Sequence, residues 1–259
     1  DIRKADVTVI IIIEDTPKYY SSLLPVMYKE IIYHTKHLID QSLNDTQKLL
    51  HMRGRPKILL STNYEDALKI IKKINLNILG IRSDIRFPVN GKKDKDAGIK
   101  LIKKIRALDK STPVIFQSNQ KISTAILNKY SAKYLNKNSH TLIQDLRKLM
   151  INNFGFGNFN FRFKNGKIIS TASTIKQLRN KIKSIPPKSL LFHISNNHLS
   201  NWLAARGEFN LSSKFRTLKI DDFKNIEDRR KYHLKLLDEF INQKDDSIIV
   251  EYSKNSIEQ

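Results

Sequence analysis

The sequence predicts an α/β protein, in which a doubly wound parallel sheet of five strands is followed by a smaller α+β domain. Through the first 150 residues, short apolar runs rich in β-branched residues alternate with segments of helical periodicity, as in parallel sheets covered by helices on both faces. After Met150 the pattern changes to alternating aromatic residues and then to longer helical segments. The chain has 259 residues, 40% of them hydrophobic, which is enough to build two cores.

Each of the five predicted strands combines an apolar run with polar residues at its end. The predicted strands are 7–13, 57–63, 77–84, 113–119 and 132–138. Helical periodicity lies between and after them, most clearly at 64–74, 96–108, 122–130 and 140–150. The pattern that follows the first strand extends past His37. It predicts either an unusually long first helix or a helix followed by an insertion at about 33–55.

The change of texture after Met150 places a domain boundary near 151, dividing the chain into 1–150 and 151–259. Alternating phenylalanines and an Asn-Gly turn predict a β-hairpin directly after the boundary. One helix is expected from about Thr174 to Ser184, and a second from near Ser189 to Gly207. A charged helix at 220–243 and a final strand at 247–253 complete the predicted elements. We expect this second domain to continue into a longer protein.

Composition limits the class of protein. There is no cysteine, which removes disulfides and thiolate metal sites and fits a reducing compartment. The longest apolar run, at 9–13, is far too short to span a membrane, so we expect a soluble cytoplasmic protein without a membrane partner. The formal net charge is +22, but the lysines are spread through nearly every segment. We therefore interpret the charge as compositional and do not expect nucleic acid as a specific partner.

Five chemically reactive side chains follow the predicted strands at their carboxyl ends. They are Glu14 and Asp15 after the first strand, Asp84 after the third, Ser118 after the fourth and Lys137 after the fifth. Strand ends of a parallel sheet meet at one edge, so these groups should converge. Crowded carboxylates repel unless a cation joins them, and a small set of hard oxygen ligands favours Mg²⁺. In such a site Asp84 would act as a nucleophile toward a phosphoryl group.

These residues resemble those of response-regulator receiver domains, which have the CheY-like (flavodoxin-like) fold. The segments that carry the resemblance are "IIEDTP", "SDIRFP", "QSN", "YLNKN" and "AGIKLIKKIRA", in the receiver order. The resemblance implies a phosphorelay module of a two-component system, with a histidine kinase or a small phosphodonor as partner. It also implies residue roles. Asp84 would accept phosphate, Glu14, Asp15, Asp84 and the backbone carbonyl of Arg86 would bind Mg²⁺, Lys137 would pair with the phosphoryl group, and Ser118 and Tyr134 would switch with it.

Several positions depart from the receiver pattern. Asn138 stands where receivers usually have proline, and Arg82 and Ser83 replace apolar residues before the acceptor. Arg82 shares a strand face with Asp84 by the period of two, so an arginine there can neutralise the pocket. A degenerate receiver that serves as a docking module therefore remains an alternative to a working phosphoacceptor.

The second half is similar to the N-terminal region of bacterial proteins that resemble phosphoenolpyruvate synthase and pyruvate phosphate dikinase. The similarity lies in "NFGFGNFNF" and "SLLFHISNNHLSNWLAARGEF". It implies a coupling domain that regulates a downstream catalytic region. The chain itself would be non-catalytic beyond receiver autophosphorylation, while its parent protein would be an ATP- and pyruvate-dependent phosphotransferase. A DNA-binding response regulator is the alternative, although Pro186-Pro187 interrupts the position where paired helices would be joined.

The remaining candidates in the second half have structural interpretations. His193 and His198 are five residues apart, which on one helix turns them about 140° from each other and argues against a zinc pair. Trp202 falls on the apolar side of the predicted helix and is expected in the core. Arg206 and Glu208 are interpreted as a solvated pair.

Overall fold

The structure is a computed structural model that describes residues 7–42, 44–74, 77–218 and 222–255. Its strands are β1 (Val9–Ile13), β2 (Lys57–Ser61), β3 (Ile78–Asp84), β4 (Phe87–Val89), β5 (Lys92–Asp94), β6 (Val114–Ser118), β7 (Ala132–Asn136), β8 (Phe159–Arg162) and β9 (Ile168–Ala172). Its helices are α1 (Pro17–Asp40), α2 (Asp45–Arg53), α3 (Tyr64–Ile74), α4 (Ala97–Leu108), α5 (Thr124–Lys129), α6 (Leu142–Asn153), α7 (Ile175–Ser184), α8 (Pro187–Ser195), α9 (His198–Ala205), α10 (Phe209–Thr217) and α11 (Ile226–Asn255).

The main sheet has five strands in the order β2-β1-β3-β6-β7, and every neighbouring pair is parallel. The order reverses between β1 and β3, which is the switch point of a doubly wound sheet of the flavodoxin and CheY type. The predicted fold class is confirmed by this order. The two short strands β4 and β5 form a hairpin between β3 and α4.

Both faces of the main sheet are covered, because β1 and β3 are buried along their whole length. Side chains at alternate positions enter different cores, so Ile11 and Ile13 pack with α3 and α4, whereas Ile10 and Ile12 pack with α1 and α6. Helix α1 is 24 residues long. A second helix, α2, then occupies much of the segment for which the sequence suggested an insertion.

The second half contains the predicted β-hairpin, formed by β8 and β9, and the helix expected from Thr174, whose side chain caps α7. Trp202 is buried in its core, as predicted. Two predictions are wrong. The expected helix from Ser189 to Gly207 is divided into α8 and α9 because Asn197 adopts a left-handed conformation with φ 52°. The segment 247–253 is the last part of α11 rather than a strand. The predicted start of that helix at Ile220 lies outside the described residues.

Phe154 joins the two halves of the chain. It follows α6 and is fully buried against β3, where a Cβ added at Gly80 would lie 2.1 Å from its ring. Phe156 stacks on His34 of α1, with ring centroids 4.5 Å apart, and His34 Nε2 lies 2.9 Å from the carbonyl oxygen of Ala205. The segment after α6 therefore packs into the core that α1 and α6 form on one face of the sheet.

We predict that Gly80→Ala destabilises the protein by about 3 kcal/mol or more, because its methyl group would displace the Phe154 ring from a site without free volume. Urea unfolding of Gly80→Ala, Phe154→Ala and the double variant would measure this. In the double variant the new methyl group occupies part of the space that the ring leaves, so the two costs should be clearly less than additive. Additive costs would contradict the close contact between the two positions.

Candidate functional site

The predicted site residues lie at the carboxyl edge of the main sheet, and four of them meet there. Glu14 and Asp15 follow β1, and Asp84 ends β3. Ligand oxygens of these three carboxylates lie within 4.8 Å of one another. Lys137, directly after β7, reaches the same point. The parallel arrangement of β1, β3 and β7 is what brings these residues together from distant parts of the sequence.

Lys137 connects two of the carboxylates. Its Nζ donates to Asp84 Oδ2 at 2.7 Å and to Glu14 Oε1 at 3.1 Å, and it lies 2.9 Å from Glu14 Oε2. The lysine is 8% exposed, and its ammonium group lies 4.1 Å from the centroid of the Tyr19 ring. The lysine reaches its partners although Asn138, rather than proline, follows it. Hydrogen bonds from an ammonium group in such a dry position hold both carboxyl groups in place.

Asp84 is held at its second oxygen by the backbone. Its Oδ1 accepts a hydrogen bond of 2.6 Å from the N–H of Ile85, while Oδ2 faces Lys137. The side chain of Asp84 is 10% exposed to solvent. A carboxylate that is fixed at both oxygens and still accessible at the edge of a sheet can act as an oriented nucleophile.

Ser118 and Tyr134 lie beside this cluster at the ends of β6 and β7. The Ser118 hydroxyl accepts a 3.1 Å hydrogen bond from the N–H of Gln120. The Tyr134 hydroxyl donates at 3.1 Å to the carbonyl oxygens of Ser118 and Gln120. The tyrosine thus contacts the backbone around the serine. Their predicted switching role stays a prediction.

Arg82 adds a second buried cation to the pocket. It is 1% exposed, its Nε donates to Gln117 Oε1, and its Nη2 lies 3.5 Å from Glu14 Oε2. Burial lowers the pKa of Arg82 to about 10, opposed by the nearby charge of Glu14, so the side chain remains charged at neutral pH. Nη1 and Nη2 have no hydrogen-bond acceptor among the described residues. Arg82 therefore has Gln117 as its hydrogen-bond partner and Glu14 as its ion-pair partner.

The buried charges of the pocket balance. In their ionised forms Glu14 and Asp84 would supply two negative charges, which the contacts with Lys137 and Arg82 would match with two positive charges. Burial raises the pKa of Glu14, and the hydrogen bond from Lys137 opposes this rise. The more accessible Asp15 is paired with Lys93, whose Nζ lies 3.1 Å from its Oδ2.

The donor set fits a magnesium ion, because three carboxylates in reach of one point are the hard oxygen ligands that Mg²⁺ prefers. Arg82, Lys93 and Lys137 already contact oxygens of Glu14, Asp15 and Asp84, so an ion would have to compete with these cations. The backbone carbonyl of Arg86 stays a predicted fourth ligand. The side chain of Arg86 donates to Gln120 Oε1.

Three contributors were not predicted from the sequence. Gln117 accepts from Arg82, Lys93 pairs with Asp15, and the Tyr19 ring faces Lys137. Gln117 had a detectable signal, since it is a polar residue inside the apolar run of β6. The sequence contains no such signal for Lys93, because the residue comes close to Asp15 only when the β4–β5 hairpin has folded.

Two interpretations of the second half need correction. The division into α8 and α9 brings His193 and His198 together, with their Nδ1 atoms 3.1 Å apart, so the 140° separation does not apply. Arg206 and Glu208 are not a solvated pair. Arg206 is 4% exposed, lies 3.4 Å from the centroid of the Trp202 ring and donates to the carbonyl oxygens of Gly155 and Gly157.

Solved response regulators share structural similarity with a little more than half of the chain. A protein described as a response regulator from Chloroflexus aurantiacus J-10-fl is 20% identical, with a TM-score of 0.39, over 57% of this chain and 98% of that chain. The chemotaxis protein CheY4 of Vibrio cholerae is 15% identical, with a TM-score of 0.36, over 55% and 98%. A two-component response regulator from Clostridium difficile is 20% identical, with a TM-score of 0.36, over 56% and 94%.

No family model matches the sequence, and no curated protein matches it at the significance required. The strand order of the main sheet, rather than these similarities, defines the fold class. Among the described residues, no helix is long and apolar enough to cross a membrane.

We predict that Arg82→Leu destabilises the protein by about 3–5 kcal/mol, because it leaves the buried carboxylate of Glu14 with a single cation and Gln117 without its donor. The matched control is Arg86→Gln, an exposed arginine two residues after Asp84, which should change stability by less than about 0.5 kcal/mol. Both would be measured by chemical denaturation. Equal stabilities of Arg82→Leu and the wild type would contradict a structural role for the Arg82–Glu14 contact.

Proposed function

We propose that the first half of the chain is a phosphorelay receiver that accepts a phosphoryl group on Asp84. The observation that carries this proposal is the contact of 2.7 Å between Lys137 Nζ and Asp84 Oδ2, within a cluster of three carboxylates at the carboxyl edge of the sheet. Phosphoryl transfer requires an oriented nucleophile, a buried cation and oxygen ligands for a metal ion, and this cluster offers all three. A histidine kinase or a small phosphodonor would supply the phosphoryl group.

The side chains have definite tasks in this reaction. An oxygen of Asp84 attacks phosphorus, the bond from phosphorus to the donor's nitrogen or oxygen breaks, and an acyl phosphate remains on the aspartate. Lys137 then exchanges its contact with Asp84 Oδ2 for a phosphoryl oxygen, while the Ser118 hydroxyl can donate to another. Mg²⁺ held by Glu14, Asp15 and Asp84, with the Arg86 carbonyl, would neutralise charge on the transferred group.

A second candidate is a degenerate receiver that serves as a docking module. Arg82 favours it, since this buried cation lies 3.5 Å from Glu14 and already neutralises a carboxylate that a metal would use. In that case Lys137 and Arg82 would hold the pocket permanently in one state. The two candidates make opposite predictions for phosphorylation.

We predict that the protein incubated with acetyl phosphate and Mg²⁺ acquires one alkali-labile phosphoryl group, as expected of an acyl phosphate, and that Asp84→Asn acquires none, because the amide cannot attack phosphorus. A phosphate-affinity gel would detect the shift. Asp66→Asn removes an exposed carboxylate of α3 and should label like the wild type. If the wild type is not labelled, the degenerate-receiver interpretation is the one supported. If Asp84→Asn is still labelled, the phosphorylated residue is not Asp84.

We further propose that the receiver regulates an attached or partner enzyme of the phosphoenolpyruvate synthase and pyruvate phosphate dikinase type. The sequence resemblance of the second half supports this partner. The route for regulation is supported by the shared core, in which Leu146 and Met150 of α6 lie in one cluster with Phe156 and Ala205. A change at the carboxyl edge of the sheet can reach the second half through this cluster.

We predict that beryllofluoride, a phosphoryl mimic, changes hydrogen exchange both around Asp84 and in α8 and α9, because the shared core links the two regions. Mass spectrometry of peptides from the wild type would locate the changes, with Asp84→Asn as the control that cannot form the adduct. Changes confined to the pocket would contradict coupling to the second half while leaving the phosphoacceptor itself supported.

A further inference from the structure

A cleft of about 670 Å³ lies between the two halves, at the sheet edge opposite Asp84. Its walls are the loop before β6, the start of β7, the hairpin strand β8 and the helices α8 and α9. The side chain of Asn197 donates to the Ser111 hydroxyl at 3.0 Å, and Arg216 lies 3.7 Å from Asp109. These contacts across the junction hold the walls at a fixed separation. The volume is typical of small-molecule sites.

Positive charge collects in this cleft without compensation. Four of its lining residues are the cations Lys110, Lys133, Arg162 and Lys164. None of them forms an ion pair within the part of the chain that the structure describes, and no Asp or Glu is among the described residues that line the cleft. The guanidinium group of Arg106, which also lines the cleft, is occupied by the carbonyl oxygens of Tyr130 and Thr112. Cations that form no ion pair favour an anionic ligand.

Two of these cations, Arg162 on β8 and Lys133 on β7, come from opposite halves and line the same cleft as His198. Burial lowers the pKa of His198 to about 4, and the charges of Arg162 and Lys133 contribute to this decrease. An arginine and a lysine in the lining of one cleft provide charged donors for the phosphate groups of a ligand.

Two hydrogen bonds in series determine which nitrogen of His198 carries the proton. The N–H of Arg162 donates to His193 Nε2 at 2.9 Å, so the proton of the neutral His193 ring is on Nδ1. That proton is donated to His198 Nδ1 at 3.1 Å. The proton of the neutral His198 ring is therefore on Nε2, and His198 is one of the residues that line the cleft.

The cleft also offers surfaces for an uncharged moiety. Phe192 and Ile151 line it together with several asparagine side chains, whose amides both donate and accept. Phe192 lies 6.0 Å from the guanidinium group of Arg162, so an aromatic surface and a cation are adjacent. This combination matches a ligand with phosphates at one end and a flat heterocycle at the other.

We propose that this cleft binds an organic polyphosphate of nucleotide size, with its phosphates on Lys133 and Arg162, a hydrogen bond from His198, and its ring against Phe192. The site is independent of Asp84 and of the phosphoacceptor reaction. Its walls come from both halves, so binding requires the chain as a whole.

The single tryptophan of the chain supplies a direct measurement, because Trp202 lies in the wall of the cleft. Titration with ATP in the absence of Mg²⁺ should change its fluorescence with saturation below about 1 mM, confirmed by calorimetry. Lys133→Gln/Arg162→Gln should weaken ATP binding at least 10-fold. Arg53→Gln/Lys72→Gln removes the same charge from exposed helix positions away from the cleft and should bind ATP like the wild type.

Four results would overturn the proposal. Absence of saturable ATP binding would do so, as would an equal loss in the control variant, which would indicate attraction by net charge alone. If tripolyphosphate bound as tightly as ATP, the heterocycle would not contribute to binding. Displacement of ATP by a short oligothymidylate of higher affinity would assign the cleft to single-stranded nucleic acid instead. Thermal unfolding of each variant confirms that it is folded, and Asp84→Asn should bind ATP normally, which separates this site from the phosphoacceptor.

Discussion

The contact between Phe154 and Gly80 determines how the two halves of the chain are arranged. Strand β3 carries Gly80 in its middle and Asp84 at its end, so the ring of Phe154 packs on the strand that presents the central carboxylate of the pocket. A side chain at position 80 would exclude the ring, and only glycine leaves space for it. Because Phe154 follows α6 directly, this insertion fixes where β8 and the following helices lie. The cleft at the opposite sheet edge exists because the second half is held in this position.

The acidic pocket is stable because its charges balance before any ligand arrives. Isolated buried carboxylates would lose far more hydration energy than burial returns, and Lys137 and Arg82 offset that loss for Glu14 and Asp84. The same balance has a functional consequence. A metal ion or a phosphoryl group entering the pocket must replace contacts that already exist, so Arg82 raises the energy of every state in which Glu14 turns toward a metal. Arg82 therefore favours the present arrangement of the pocket. A pocket with the same three carboxylates and only one lysine would be held in it less strongly.

Periodicity was sufficient to predict the parallel sheet, and the convergence of Glu14, Asp15, Asp84 and Lys137 follows from that sheet, since all strand ends meet at one edge. The features that could not be predicted depend on single residues in particular surroundings. Asn197 ends a helix only because it adopts a left-handed conformation, and without that break His193 and His198 would point apart. A charged residue such as Arg206 is expected to be exposed. It is buried in the structure, because the carbonyl oxygens of Gly155 and Gly157 accept hydrogen bonds from its guanidinium group. Neither contact leaves a periodic signal.

The distribution of charge in the folded molecule changes the interpretation of its net charge of +22. In the sequence the lysines are spread evenly, which argued for a compositional bias without a site. Folding separates them into different environments. At the carboxyl edge the buried cations face carboxylates, and the charge is cancelled. At the opposite edge Lys133 and Arg162 line one cleft from different halves, and neither forms an ion pair within the described part of the chain. An even distribution along the chain is thus compatible with a localised anion site, because it is the tertiary arrangement that decides which cations keep a partner.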